Sequence, residues 1–324
     1  MAPACVRFAL LAVLCLPAFA QERAPPPTPA PAEAAVPPAA APAFTPKGAD
    51  TCLKCHDEDS KVPVLAIFKT PHGQRSDART PFAKLQCESC HGAGGDHAQK
   101  LRTGEPRPHI RDFGQHAASP VEDQNGACLT CHQGGKRIGW HGSAHETGSV
   151  PCAGCHQVHV AQDSVVSESG EAAVCATCHA RQRAEHNSAF AHPVRQGKMS
   201  CSGCHAVHGT SLGPSLLAQP SVNETCFSCH ADKRGPFLWE HAPAAEDCTL
   251  CHRPHGSNHR AMLDRQAPLL CQQCHSPVGH PSVAYTLGGL PSGAPSAFLL
   301  GNSCTNCHSQ VHGSNHPSGA QLLR

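Results

Sequence analysis

Apolar residues make one sustained run in this chain, and little follows it. That run is Phe8 to Leu16, too short to span a bilayer, which takes about 20 residues. Downstream, no long apolar stretch recurs. Aromatic residues are only 4% of the chain, and 30 prolines and 28 glycines interrupt it. This pattern predicts no packed stack of helices or sheets. It predicts short helices beginning near a repeated polar pentapeptide, loops between them, and almost no β structure.

The N-terminal run has its own reading. Arg7 supplies a positive flank and Ala18-Phe19-Ala20 an A-x-A cleavage signature, so residues 1–20 read as a secretory signal peptide. Cys15 follows Leu14, where a lipoprotein site would want a small residue, so lipidation is not expected; Cys5 and Cys15 leave with the signal. Residues 21–46 are rich in Pro and Ala and read as an extended, disordered leader. Residues 47–324 form the working domain.

That domain carries the pentapeptide C-x-x-C-H ten times. The copies are Cys52, Cys55 and His56; Cys87, Cys90 and His91; Cys128, Cys131 and His132; Cys152, Cys155 and His156; Cys175, Cys178 and His179; Cys201, Cys204 and His205; Cys226, Cys229 and His230; Cys248, Cys251 and His252; Cys271, Cys274 and His275; Cys304, Cys307 and His308. They are numbered sites I to X in chain order. The pentapeptide is the attachment signal of a c-type haem: two thiols bond the haem vinyl groups and the histidine reaches the iron. C-x-x-C also serves zinc and redox sites. But with 26 histidines in 324 residues, chance puts His after roughly one pair in twelve, and here it follows all ten. A disulfide framework explains neither the histidines nor the pairing of every mature cysteine. Ten covalent haems are therefore expected.

The motifs recur as a larger repeat, 49 residues from Cys152 to Cys201 and 47 from Cys201 to Cys248, giving units at about 152–200, 201–247 and 248–303. About 28 residues serve each motif, too few for an ordinary core. The haems must supply the core, with the thioether links as staples.

Sixteen histidines lie outside the motifs and ten are needed to close a second axial position on each iron. Met199 and Met262 do not recur with the repeat, so methionine ligation is not general. His159, His208 and His255 each stand three residues past a motif histidine, on the same turn. They are expected to serve a neighbouring haem. His145, His192 and His241 follow a motif histidine by 11 to 13 residues. His72, His97, His280 and His312 complete the set, with His316 as rival to His312. His109, His116, His141, His186 and His259 read as surface or propionate-bonding residues. An iron closed on both faces by imidazole is low-spin and shut to substrate. That argues against a multihaem reductase, which keeps one iron open.

The formal net charge is +1, and haem propionates would make the holoprotein more acidic. No basic run suggests nucleic acid.

Particular strings add a resemblance. Thr45-Pro46-Lys47-Gly48-Ala49-Asp50, Cys87-Glu88-Ser89-Cys90-His91-Gly92, Lys233-Arg234-Gly235-Pro236 with Leu238 to Pro243, and Ser309 to Gly319 are similar to the periplasmic decahaem cytochromes of outer-membrane porin–cytochrome conduits, the MtrA/PioA/DmsE type. The resemblance runs from about Phe44 to the C-terminus. It implies a multihaem cytochrome c fold, an elongated haem array, and location in the periplasm beside the outer membrane. It also implies partners: an outer-membrane β-barrel that insulates the cytochrome, an outer-face multihaem cytochrome or other extracellular electron partner, and periplasmic or inner-membrane cytochromes. Two roles stay open: a conduit across the outer membrane for metal reduction or Fe(II) oxidation, or a soluble periplasmic shuttle to a terminal reductase such as one for dimethyl sulfoxide.

Overall fold

The computed structural model describes residues 43–210, 216–275 and 304–323. The chain divides into two units, Met1–Ala41 and Pro42–Arg324. The signal peptide, most of the leader, and His280 lie outside the described residues. Within the second unit the helices are short: α1 Ala49–Cys52, α2 Glu88–His91, α3 Val121–Leu129, α4 Ala144–Thr147, α5 Glu168–Cys175, α6 Ala180–Glu185, α7 Val222–Phe227 and α8 Ala242–Glu246. Short 3-10 segments lie between many of them. Among the described residues, β structure is limited to isolated bridges.

The helices differ from expectation in one respect. At sites I, III, V and VII the helix runs into the motif and ends there, on α1, α3, α5 and α7. At sites IV, VI, VIII, IX and X a 3-10 turn begins on the first cysteine. Local chemistry explains the long-approach helices. Ser167 caps α5 through the Gly170 amide. Ser221 caps α7 through Glu224, in the S-x-x-E arrangement that marks a helix start.

The core is as thin as composition implies. Among the described residues, the buried apolar side chains are Ala49, Phe82, Trp140 and Val194, whereas Glu88, Gln124, Asn125, Glu171 and Asn223 are buried polar ones. Ile138, Val166, Leu238 and Leu269 stand 62–70% exposed. A chain that buries amides and leaves aliphatics bare needs another apolar component to fold around.

Hydrogen bonds tie residues just ahead of Lys47 to the region of the second motif. The Thr45 amide and hydroxyl both donate to the buried Glu88 carboxylate, at 2.9 and 2.8 Å, and the Gly95 amide donates to Ala43 O.

Candidate functional site

All ten motifs share one backbone turn. In each, the amides of the second cysteine and of the histidine both donate to the carbonyl of the first cysteine. At site VI the Cys204 (3.1 Å) and His205 (2.9 Å) amides reach Cys201 O, and at site X the Cys307 (3.2 Å) and His308 (2.9 Å) amides reach Cys304 O. One helical turn places positions i, i+3 and i+4 on the same face, about 5–6 Å apart. Both thiols and the imidazole therefore leave from one side, as attachment to a flat macrocycle with an iron at its centre requires. Among the described residues no motif cysteine is half of a disulfide. Cys55, Cys131, Cys178, Cys229, Cys274 and Cys307, all second thiols of their motifs, are exposed, where a macrocycle can reach them.

Among the described residues, nine motif histidines each face a second histidine ring. The pairs are His56–His97, His91–His159, His132–His72, His156–His208, His179–His145, His205–His255, His230–His192, His252–His312 and His275–His241, with centroids 5.8–6.3 Å apart. A metal–nitrogen bond of about 2.1 Å on each side, with each centroid about 1.1 Å behind its nitrogen, requires roughly 6.4 Å. His308 of site X has its Nδ1 on Gln321 O (2.6 Å); His280, the remaining candidate, falls outside the described residues. His316 turns its Nδ1 to the Ser318 hydroxyl instead. His109 bonds Ser119 and His141 bonds Glu146.

The rings are held by their rear nitrogens. Nδ1 donates to a backbone carbonyl at His91 (Arg111 O, 2.7 Å), His97 (Pro108 O, 2.8 Å), His159 (Val64 O, 3.2 Å) and His252 (Ala261 O, 2.8 Å). That contact fixes the tautomer and turns Nε2 toward the facing ring. Burial pushes His72, His91, His132, His205, His208 and His312 below the ordinary imidazole range, favouring the neutral form that can coordinate a metal.

The pairing follows a rule. Histidines just past motifs IV, VI, VIII and X (His159, His208, His255, His312) face the motif histidine two sites earlier. Histidines ahead of motifs II, IV, VI and VIII (His72, His145, His192, His241) face one further on, at sites III, V, VII and IX. The two series interlock: His145, His192 and His241 donate Nδ1 to Val207 O, Pro254 O and Val311 O, each the residue just before a member of the other series. Antiparallel bridges Phe190↔Ser257 and Trp239↔Ser314 splice the same segments. Glycine is required at this crossing. Gly256 has φ +132°, and a Cβ there would lie 2.3 Å from Glu185 O.

Consecutive motifs lie near one another. Within couplets the first cysteines are close enough for their thiols to perturb one another: Cys52 with Cys87, Cys128 with Cys152, Cys175 with Cys201, Cys226 with Cys248 and Cys271 with Cys304. Between couplets the second cysteines lie within electrostatic reach: Cys90 of Cys131, Cys155 of Cys178, Cys204 of Cys229 and Cys251 of Cys274. Neighbouring motifs in the chain are thus neighbours in space from I to X. Cys307, the second thiol of site X, stands exposed at the end of this succession.

Buried polar side chains clamp the couplets. Asn125 accepts from the Cys152 amide (2.7 Å), Asn223 from the Cys248 amide (2.8 Å) and Glu171 from the Ser202 amide (2.6 Å). Gln86 accepts from the Ala49 amide, joining site I to site II. Sequence reasoning missed these residues. Their signal is a polar residue three or four positions before the first cysteine of motifs III, V and VII.

These residues fit haem c. The donor set is two thiols and paired imidazoles, and among the described residues two buried polar atoms lack a partner, Trp140 Nε1 and His186 Nδ1. They lie beside the candidate ligands His208 and His255, where a haem propionate would satisfy them.

Known proteins agree. The chain is 48% identical to the multihaem cytochrome MtrA of Shewanella baltica over 284 residues, 87% of this chain and 83% of that protein. The chain belongs to the MtrA family of multihaem cytochromes. A family described as a doubled CXXCH motif matches residues 192–235 and 241–280, and one described as cytochrome c-type protein NrfB-like matches 87–173. The NrfB proteins of Escherichia coli and Haemophilus influenzae are 29% and 28% identical over 147 residues, 42% and 41% of this chain and 68% and 65% of those proteins. As an MtrA-family cytochrome the chain binds haem c covalently and transfers electrons. Among the described residues no helix is long and apolar enough to cross a membrane.

Proposed function

We propose that this chain is a ten-haem wire that carries electrons across the outer membrane inside a β-barrel partner. Each C-x-x-C-H turn would hold one haem c, and the nine facing histidines above, with His280 at site X, would be the second iron ligands. Haem c supplies one-electron iron chemistry at each turn. The protein's own part is positional. The turns present the thiols, from Cys52 and Cys55 at site I to Cys304 and Cys307 at site X. The Nδ1 contacts aim each imidazole, and the paired rings exclude substrate from both iron faces. The supporting observation is the unbroken succession of neighbouring motifs from Cys52 to Cys304, each within electrostatic reach of the next. A hydrophilic chain cannot cross lipid unaided, because unpaired backbone groups in hydrocarbon cost several kcal/mol each. A closed barrel with a polar lumen removes that cost. The exported chain then works from the periplasm, between periplasmic or inner-membrane cytochromes and an outer-face electron partner.

The test is a pull-down of the native protein from detergent-solubilised outer membranes. A stoichiometric β-barrel protein is expected. Recovery of all the protein in the soluble periplasmic fraction, without a barrel, would overturn the conduit and favour a shuttle to a terminal reductase. Pyridine haemochrome and iron assays should give ten haems per chain.

A further inference from the structure

Two histidines in the paired set lean on carboxylates rather than carbonyls. His156 Nδ1 donates to Asp163 Oδ2 at 2.8 Å, and the Asp163 side chain is 18% exposed. His255 Nδ1 meets Glu185 Oε2 at 3.2 Å. They belong to sites IV and VI, where His156 faces His208 and His205 faces His255. By contrast, His97, His91, His145, His192, His252 and His241, at sites I, II, V, VII, VIII and IX, donate to backbone carbonyls.

A carboxylate is a stronger acceptor than a carbonyl and carries a full charge. It draws the Nδ1 proton, makes Nε2 a better donor, and so favours the higher oxidation state of a coordinated metal. Its own negative charge acts in the same direction. Both carboxylates are held in place. Asp163 caps the following turn through the Val165 amide, and Glu185 is held by Arg181 at 2.9 Å. That arginine draws on the Glu185 charge, so Asp163 is the stronger of the two.

We infer that Asp163 and Glu185 are positioning residues that set the reduction potentials of sites IV and VI below those of the carbonyl-anchored sites, with site IV the lower. The proposal rests on the bis-histidine reading of those sites. It makes the array uneven: two sites of the same parity near its middle hold electrons least tightly. Electrons entering from either end then meet a rise there, which limits back-and-forth exchange between the two halves.

The experiment is an EPR-monitored redox titration of the full haem-loaded protein against the Asp163→Asn variant, whose amide keeps an acceptor oxygen but no charge. One low-spin haem should become easier to reduce by about tenfold in its reduction equilibrium constant, roughly 59 mV for one electron. Haem content should be unchanged, and Asp163→Glu should move the potential back. Glu185→Gln should shift a different haem in the same direction by less. Titrations that superimpose on the wild type at full haem content would overturn the inference. So would loss of a haem in both neutral variants, because the carboxylates would then be scaffolding alone. A wild-type spectrum dominated by high-spin iron would instead defeat the ligation reading, so the two failures are distinguishable.

Discussion

At site I the ring facing His56 is His97, six residues past the motif of site II. At site IV the ring facing His156 is His208, 52 residues on and three past the motif of site VI. The pentapeptide and its turn are the same in both. The first couplet closes its outer site from within. Interior couplets lend histidines forward and backward, so that each is completed by its neighbours. The pentapeptide of a site is therefore local, and the ring that faces it is set by topology. An interior site should be harder to lose alone than the terminal one.

The largest test of that contrast removes attachment thiols. Cys201→Ala with Cys204→Ala deletes the site VI anchor and frees His255, which stands in the segment spliced to Phe190. More than one haem should be lost, with a sharp fall in folded protein, because cofactor and fold are coupled. Cys52→Ala with Cys55→Ala should cost about one haem, read by absorbance and iron per chain. Equal losses would remove the distinction between end and interior.

A smaller effect comes from one ring. His208→Ala should turn a single low-spin iron high-spin, at the Cys152–His156 turn rather than at His205, while total haem stays near wild type. His97→Ala should do the same at His56 only. The EPR high-spin fraction, with ligand-binding difference spectra, reads the change. Loss of the site VI iron signal in the His208 variant would mean that the ring serves its own motif.

Next are the clamps. Asn223→Ala leaves the Cys248 amide and the Ala245 carbonyl without their side-chain partner, at about 1–3 kcal/mol. Asn125→Ala does likewise at Cys152. Denaturant midpoints of the loaded protein should fall in both.

The smallest effect is acidic and lies in the first couplet's surroundings. Burial raises the Asp112 carboxyl, but hydrogen bonds from Ser119 and Ala118 outweigh it and hold the group down at about 2. A depressed folded value stabilises the fold above the ordinary carboxylate range, near pH 4, and that contribution is lost as pH falls from about 4 through about 2. Asp112→Asn should flatten the acid stability profile in that window and leave it unchanged near pH 7.

Much of this arrangement is legible in the residues themselves. The ten turns, the thin apolar core and the scarcity of sheet follow from the spacing of Cys and His and the lack of apolar stripes. His159, His208 and His255 each stand three residues past a motif histidine, and each faces a ring from another motif. The partner of each ring was not legible, because pairings such as His91–His159 and His252–His312 span 60 residues or more and depend on how couplets dock. The helices that end in odd-numbered motifs were missed for a similar reason. Their buried Asn125, Glu171 and Asn223 look like solvent-facing residues until the next motif's amides are placed against them. Thr45, two residues ahead of the boundary expected at Lys47, is held by Glu88, 43 residues away.

The most direct measurement is anomalous scattering at the iron edge from crystals of the haem-loaded protein. Ten iron positions are expected in chain order, with one midway between each facing pair, including His156 with His208 and His205 with His255. An iron bound by both His205 and His208, or a break in the succession between any two neighbouring motifs, would contradict the interlocked wire.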